Sequence, residues 1–242
     1  MEVLQVCAAF NFLLATVFIW FNRKKLDPAI QIFSFFLFGK GITLLSNGMM
    51  MGEIFPQHLV VYTTGIILNS FLFFYAPFLF FFTWSIVKGN FILKANRLHL
   101  IPFLLFFLLN IITAVMINEP ELRNILEPIV DFRNSFHQLY FLQVIGYTLG
   151  SIYILIKSNS RSKNFVEISK WVRFILYTFL MVWVLFSINA YANLSWLSNM
   201  SLILGMLLLV VLANITLFML FSNPEYFYVN LSTRKPKVNL ND

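Results

Sequence analysis

A lysine set between two glycines, Gly39-Lys40-Gly41, lies inside a long apolar run. Counting about 11 residues from the start of that run at 1.5 Å each puts it roughly 16 Å deep, near the centre of a bilayer. An ammonium there costs on the order of 2.5–3.5 kcal/mol on insertion scales, and it is too deep to snorkel easily. It is therefore expected to turn into the helix bundle and to need acceptors. Asn11, Asn69 and Asn110 count to about the same plane in three other apolar runs, and an asparagine oxygen can accept from an ammonium. Lys40, Asn11, Asn69 and Asn110 thus form the candidate ligand-binding cluster. Two readings stay open: polar glue between helices, or a pocket for an anionic or carbonyl-bearing lipophile.

Little else in the sequence has the residue types for chemistry. HExxH and GxSxG are absent, and the single Cys7 excludes an internal disulfide or a CxxC site. His58, His99 and His137 do not converge with carboxylates at one depth, so no metal site and no cofactor are expected. No carboxylate lies clearly inside an apolar run, where a proton-driven transporter usually needs one. The last apolar run lacks the lysine that a retinal Schiff base requires. No catalytic residue is assigned, and the enzyme question leans towards no. Pro56-Gln57 occurs once and in a connection, and carries no weight. Pro77 lies within the third apolar run. It is the expected hinge or kink, because it removes a backbone donor and clashes with the carbonyl of Phe73.

These residues must be carried by membrane-spanning helices. The chain has 242 residues, 60% hydrophobic and 11% charged, with a mean hydropathy of +0.80. A water-facing surface cannot be built from that composition, since soluble domains carry about a quarter charged residues. Seven apolar stretches run over about residues 3–21, 29–51, 58–87, 99–117, 136–156, 171–192 and 197–221. The expected fold is all-α: a polytopic bundle of seven transmembrane helices over residues 1–221, followed by a flexible tail over 222–242. The first run follows Glu2 rather than a basic segment and reads as a retained helix rather than a removed signal.

Charge alternates between the runs. The first, third and fifth connections and the tail hold 14 of the 17 basic residues, among them Arg23, Lys24, Lys25, Lys88, Lys94, Arg97, Lys157, Arg161, Lys163, Lys170, Arg173, Arg234, Lys235 and Lys237. The other side holds Arg123 and Arg133, with Glu2, Glu53, Glu119, Glu121, Glu127 and Asp131. The inside-positive bias then places the N-terminus outside and the C-terminus in the cytoplasm. The basic residues, spread over short loops, suit anionic lipid headgroups and argue against direct nucleic-acid binding. The longest outer connection, about 118–135, contains Pro120 and Pro128 and has room for a short amphipathic helix around Leu122 to Val130. Tyr191 to Trp196 is short enough to make the last two spans a hairpin.

Tyr75-Ala76-Pro77-Phe78-Leu79, then Trp84-Ser85, a short basic loop and His99-Leu100-Ile101-Pro102-Phe103-Leu104 come in an order that resembles the N-terminal membrane region of Bacteroidetes AraC-type regulators. The basic segment 157–170 before an aromatic-rich sixth span fits the same pattern, as does the exit Ser222-Asn223-Pro224-Glu225-Tyr226-Phe227. The resemblance covers roughly residues 5–230. It implies a seven-helix sensor region that ordinarily precedes a cytoplasmic helix-turn-helix domain. This sequence stops at Asp242 without one, so the output is expected to be a further domain or a partner protein. The expected function is a non-catalytic signal-input module of the bacterial inner membrane. Its partners would be membrane lipids and a small lipophilic or anionic ligand, with a homodimer among the open states. The alternative is a small transporter or membrane enzyme acting on a lipophilic or anionic substrate.

Overall fold

The computed structural model describes residues 2–52, 55, 58–88, 93–158, 163–191 and 193–222. The tail 223–242 with Arg234, Lys235 and Lys237, the Pro224 juncture, Glu53, Pro56-Gln57 and Arg161 lie outside the described residues. So do the side chains of Lys94, Pro120, Arg123 and Lys163.

The described residues form α1 (Glu2–Phe21), α2 (Pro28–Met51), α3 (Leu59–Leu68), α4 (Tyr75–Lys88), α5 (Ile101–Asn118), α6 (Arg123–Lys157), α7 (Lys163–Tyr191) and α8 (Ser195–Ser222), with short 3-10 turns and no strand. Because α3 and α4 lie end to end in one span, Leu59–Lys88, seven units are long and apolar enough to cross a membrane. The chain is a multi-pass membrane protein of all-helical fold.

Local sequence sets the helix ends. Asp27 caps α2 by accepting from the Ala29 amide at 2.8 Å. Pro28 comes next, at the first helical position, where its missing donor costs nothing. Gly52 ends the same helix at φ 74°, a left-handed conformation that suits glycine.

Packing pairs give the register. Gly41 lies against Leu13, and Gly48 against Glu2, so α1 and α2 run antiparallel. Phe33 meets Phe82, and Gly39 meets Tyr75, so α2 and α4 are antiparallel too. Tyr75 with Tyr140 and Phe80 with Tyr147 set α4 parallel to α6. Phe106 with Phe136 and Asn110 with Arg133 set α5 antiparallel to α6. Phe18 with Phe221 and Asn11 with Asn214 set α1 parallel to α8, which closes the bundle. Its centre is aromatic: Phe33, Phe36, Phe73, Phe82, Phe106 and Phe179 are all buried. Lipid is as apolar as these rings, so van der Waals packing and ring geometry hold the helices together rather than expulsion from water.

Three boundaries differ from the sequence reading. The outer connection at 118–135 is far shorter than expected: α6 starts at Arg123 and continues without interruption through Pro128 into the fifth span. The basic segment 157–170 is helical from Lys163 onward. Glu2, expected outside the spans, is the first residue of α1 and fully buried. The free amides of a helix N-terminus favour a carboxylate there, although neither Glu2 oxygen has a hydrogen-bond partner among the described residues.

Candidate functional site in the broken third span

The third span does not run as one helix. α3 ends at Leu68, residues Asn69–Phe73 form a 3-10 helix, and α4 begins at Tyr75. Two features of the sequence explain the break. Ser70 turns back to donate to the Ile67 carbonyl at 2.6 Å, a local bond that competes with helical geometry. Pro77 has no N–H, so the Phe73 carbonyl lacks its usual donor four residues on. Pro77 itself lies in the first turn of α4, where proline is tolerated. The interruption therefore falls on the N-terminal side of the proline, over 69–74, rather than at residue 77.

A bilayer supplies no water to a broken helix, so other helices must satisfy it. Asn69 donates to Asn47 Oδ1 of α2 at 3.1 Å. Asn110 of α5 donates to the Ser70 hydroxyl at 2.9 Å. Gln143 of α6 donates from Nε2 to the Phe73 carbonyl at 3.3 Å, supplying the bond that Pro77 cannot. Just beyond the break, the hydroxyls of Tyr75 and Tyr140 are hydrogen-bonded to each other. Three helices thus each contribute side chains to this short segment.

Lys40 meets the segment from α2. Its side chain points into the bundle and is 2% exposed, as its depth requires. The ammonium lies 4.8 Å from the ring centre of Trp183, 5.0 Å from that of Tyr75 and 6.0 Å from that of Phe179. These aromatic faces are its partners, through cation–π attraction; among the described residues it makes no hydrogen bond or ion pair. Trp183 packs edge-on against Tyr140, and its own Nε1 is buried without an acceptor among the described residues. The flanking glycines seat α2 on two sides. A Cβ at Gly39 would fall 3.0 Å from the Tyr75 Cβ, and one at Gly41 would fall 2.8 Å from the Leu13 Cγ.

The four residues expected to form one cluster are not brought together. Lys40 lies in the ring cage, while each asparagine is bonded elsewhere. Asn11 donates to Asn214 of α8, and Asn69 donates to Asn47. Asn110 links Ser70 to Arg133, whose Nε donates to Asn110 Oδ1 at 2.8 Å. Counting residues from a helix end gives depth but not azimuth. Asn11 sits off the stripe of Ala8, Phe12, Ala15 and Ile19 that α1 buries, and so turns to α8. Sequence reasoning misses Tyr140, Gln143, Trp183 and Arg133. It places Arg133 in an outer connection, whereas the residue lies within α6 over the Phe106 ring. Tyr140 and Gln143 are one helical turn apart on α6, and that i, i+3 spacing of polar groups inside an apolar run is the signal that could have found them.

Comparisons with protein-family models, with curated proteins and with solved structures gave no match.

Proposed function

We propose that the chain is a seven-helix signal-input module of the bacterial inner membrane, non-catalytic, with its N-terminus outside and its C-terminus in the cytoplasm. A ligand or a membrane state shifts the packing of the third span, and the shift reaches a cytoplasmic output domain or partner protein. The orientation is supported by the basic residues of the first, third and fifth connections. The sensor role accords with the resemblance to AraC-type membrane regions. The observation that carries it is the break at Asn69–Phe73, held by side chains of α2, α5 and α6. Mid-helix 3-10 segments commonly mark hinges. Each residue that passes from 3-10 to α geometry shortens the span by about 0.5 Å and turns the rest of the helix by about 20°. That motion moves Tyr75 against Lys40, and moves Lys88 at the basic end of α4. In this reading the Lys40 cage is the contact through which α2 and α7 register the state of α4.

The test uses spin labels at Lys88→Cys and Lys157→Cys in a Cys7→Ser background, in vesicles of short-chain and of long-chain phosphatidylcholine. The reading expects the distance between labels to change with bilayer thickness, and the change to be reduced in Gly39→Ala, which separates α2 from Tyr75. An unchanged distance refutes it. Concentrative uptake of a labelled long-chain carboxylate into the same vesicles would favour the transporter alternative.

A further inference from the structure

Arg133 lies on the inward stripe of α6, with Ile129, Phe136, Tyr140 and Val144 at the spacing of one helix face. It is held from three directions. Nε donates to Asn110 Oδ1 at 2.8 Å, Nη1 donates to Asn134 Oδ1 at 2.9 Å, and the Phe106 ring centre lies 5.4 Å from Cζ. Nη2 has no acceptor among the described residues. Asn110 lies about 12 Å inside the end of α5 at Asn118, so the guanidinium bonded to it is well below the membrane surface. An arginine stays charged, and a charge at that depth is costly without a counter-charge. Among the described residues no carboxylate supplies one: Glu127 and Asp131, the nearest along α6, are exposed and make no ion pair with it. Yet the guanidinium is not sealed in. Val144 is 0% and Tyr140 2% exposed, whereas His137, Phe136, Arg133 and Ile129 are half-buried, so the inner face of α6 opens towards its N-terminal end. Tyr62 of α3 and His137 stand within electrostatic range of Arg133. Neither side chain has a hydrogen-bond partner among the described residues, and each has a polar group that can donate to an anion.

We propose that Arg133 is the centre of an anion site, entered from the end of the bundle where α6 begins, that takes one singly charged oxyanion: a carboxylate or a phosphodiester. Its two oxygens meet the remaining Nη1 and Nη2 hydrogens in the paired geometry that a guanidinium favours, with Tyr62 and His137 flanking it. A single guanidinium balances a single negative charge, and a neutral occupant leaves it unpaired. This chemistry has two sources, a soluble carboxylate and the headgroup of an anionic phospholipid. Because Asn110 also donates to the Ser70 hydroxyl at 2.9 Å, an anion that draws on Arg133 acts on the first residues of the broken segment. That coupling gives the signal-input reading its class of ligand and rests on that reading, whereas binding does not.

The experiment uses the full chain in maltoside micelles, a detergent without charge, and titrates benzoate and dihexanoylphosphatidylglycerol against their neutral counterparts, benzamide and dihexanoylglycerol. Calorimetry should show saturable binding of at least one anionic probe and of neither neutral one. Saturation by benzoate assigns a soluble carboxylate, and saturation by the phospholipid alone assigns a headgroup. Arg133→Gln should weaken the binding by about tenfold or more. A second measurement needs no variant: the anion that binds should slow modification of wild-type Arg133 by phenylglyoxal about tenfold, read by peptide mass spectrometry. Saturable binding of neither anion, binding unchanged in a folded Arg133→Gln, or modification of Arg133 at the same rate with and without the anion overturns the proposal. Binding without any change in the distance between labels at positions 88 and 157 keeps the site and removes only the coupling.

Discussion

Gln143→Leu isolates the bond that repairs the proline break. The substitution preserves volume but removes the donor that reaches the Phe73 carbonyl at 3.3 Å. That carbonyl belongs to a buried residue, with Phe73 1% exposed. Leaving it unpaired costs about 1–3 kcal/mol. Part is offset, because Gln143 Oε1 is itself unpaired among the described residues and its removal relieves a desolvation penalty. The net expected loss is about 1–2 kcal/mol. Pro77→Ala restores an N–H that can donate to the same carbonyl, so in that background Gln143 becomes redundant. Gln143→Leu should then cost less than about 0.5 kcal/mol, giving a coupling near 1–2 kcal/mol. Effects of the proline on the unfolded chain cancel around the cycle. Reversible unfolding by sodium dodecyl sulfate in bicelles, or steric trapping, measures all four proteins. Equal costs of Gln143→Leu in the two backgrounds would refute the assignment of this bond.

Lys40→Met should fold and gain about 1–2 kcal/mol by the same unfolding assay, because an ammonium whose partners among the described residues are ring faces is desolvated by more than cation–π contacts return. A loss above about 2 kcal/mol would show that the cage stabilises the fold. Asn110→Leu should cost about 1–3 kcal/mol, since it removes the donor to the Ser70 hydroxyl and the acceptor of Arg133 Nε, although Ser70 keeps its bond to the Ile67 carbonyl and Arg133 its bond to Asn134; Asn11→Leu, whose partner Asn214 sits at the exposed α1–α8 seam, should cost under about 1 kcal/mol. In a Cys7→Ser background, a cysteine at Arg161 should resist an impermeant maleimide added to intact cells and react after lysis. Labelling from outside would reverse the orientation.

Much of the fold is readable because its rules are one-dimensional. Seven apolar runs of spanning length give seven spans. The inward direction of Lys40 comes from depth alone. Azimuth and partner choice are not readable in the same way. Asn11 turns to Asn214, whereas Asn69 meets Asn47, seven residues or about 10 Å along α2 from Lys40, and Asn110 is tied to Ser70 and Arg133, so level as well as azimuth separates the latter two from Lys40. The ring cage is hidden because Trp183 and Phe179 read as ordinary packing in an aromatic-rich span, and cation–π acceptors have no polar signature. Pro77 reads in the sequence as the place of the kink, whereas the structure interrupts the third span at 69–74. The location of the break at 69–74 depends on Ser70 and on partners from helices distant in sequence. Arg133 is misplaced because the charged segment before the fifth apolar run reads as loop, although proline near a helix start does not end the helix.

The third span, on this account, is jointed at Asn69–Phe73 and changes length. Val60 and Trp84 flank the joint and are 72% and 39% exposed, so Val60→Cys and Trp84→Cys accept spin labels in a Cys7→Ser background. A straight α-helix over those roughly 24 steps spans about 36 Å, and about five 3-10 residues add about 2.5 Å. Double electron–electron resonance should give the longer distance in long-chain phosphatidylcholine and a distance about 2 Å shorter in short-chain lipid, as the joint converts towards α geometry. One distance, the same in both bilayers, would contradict the account.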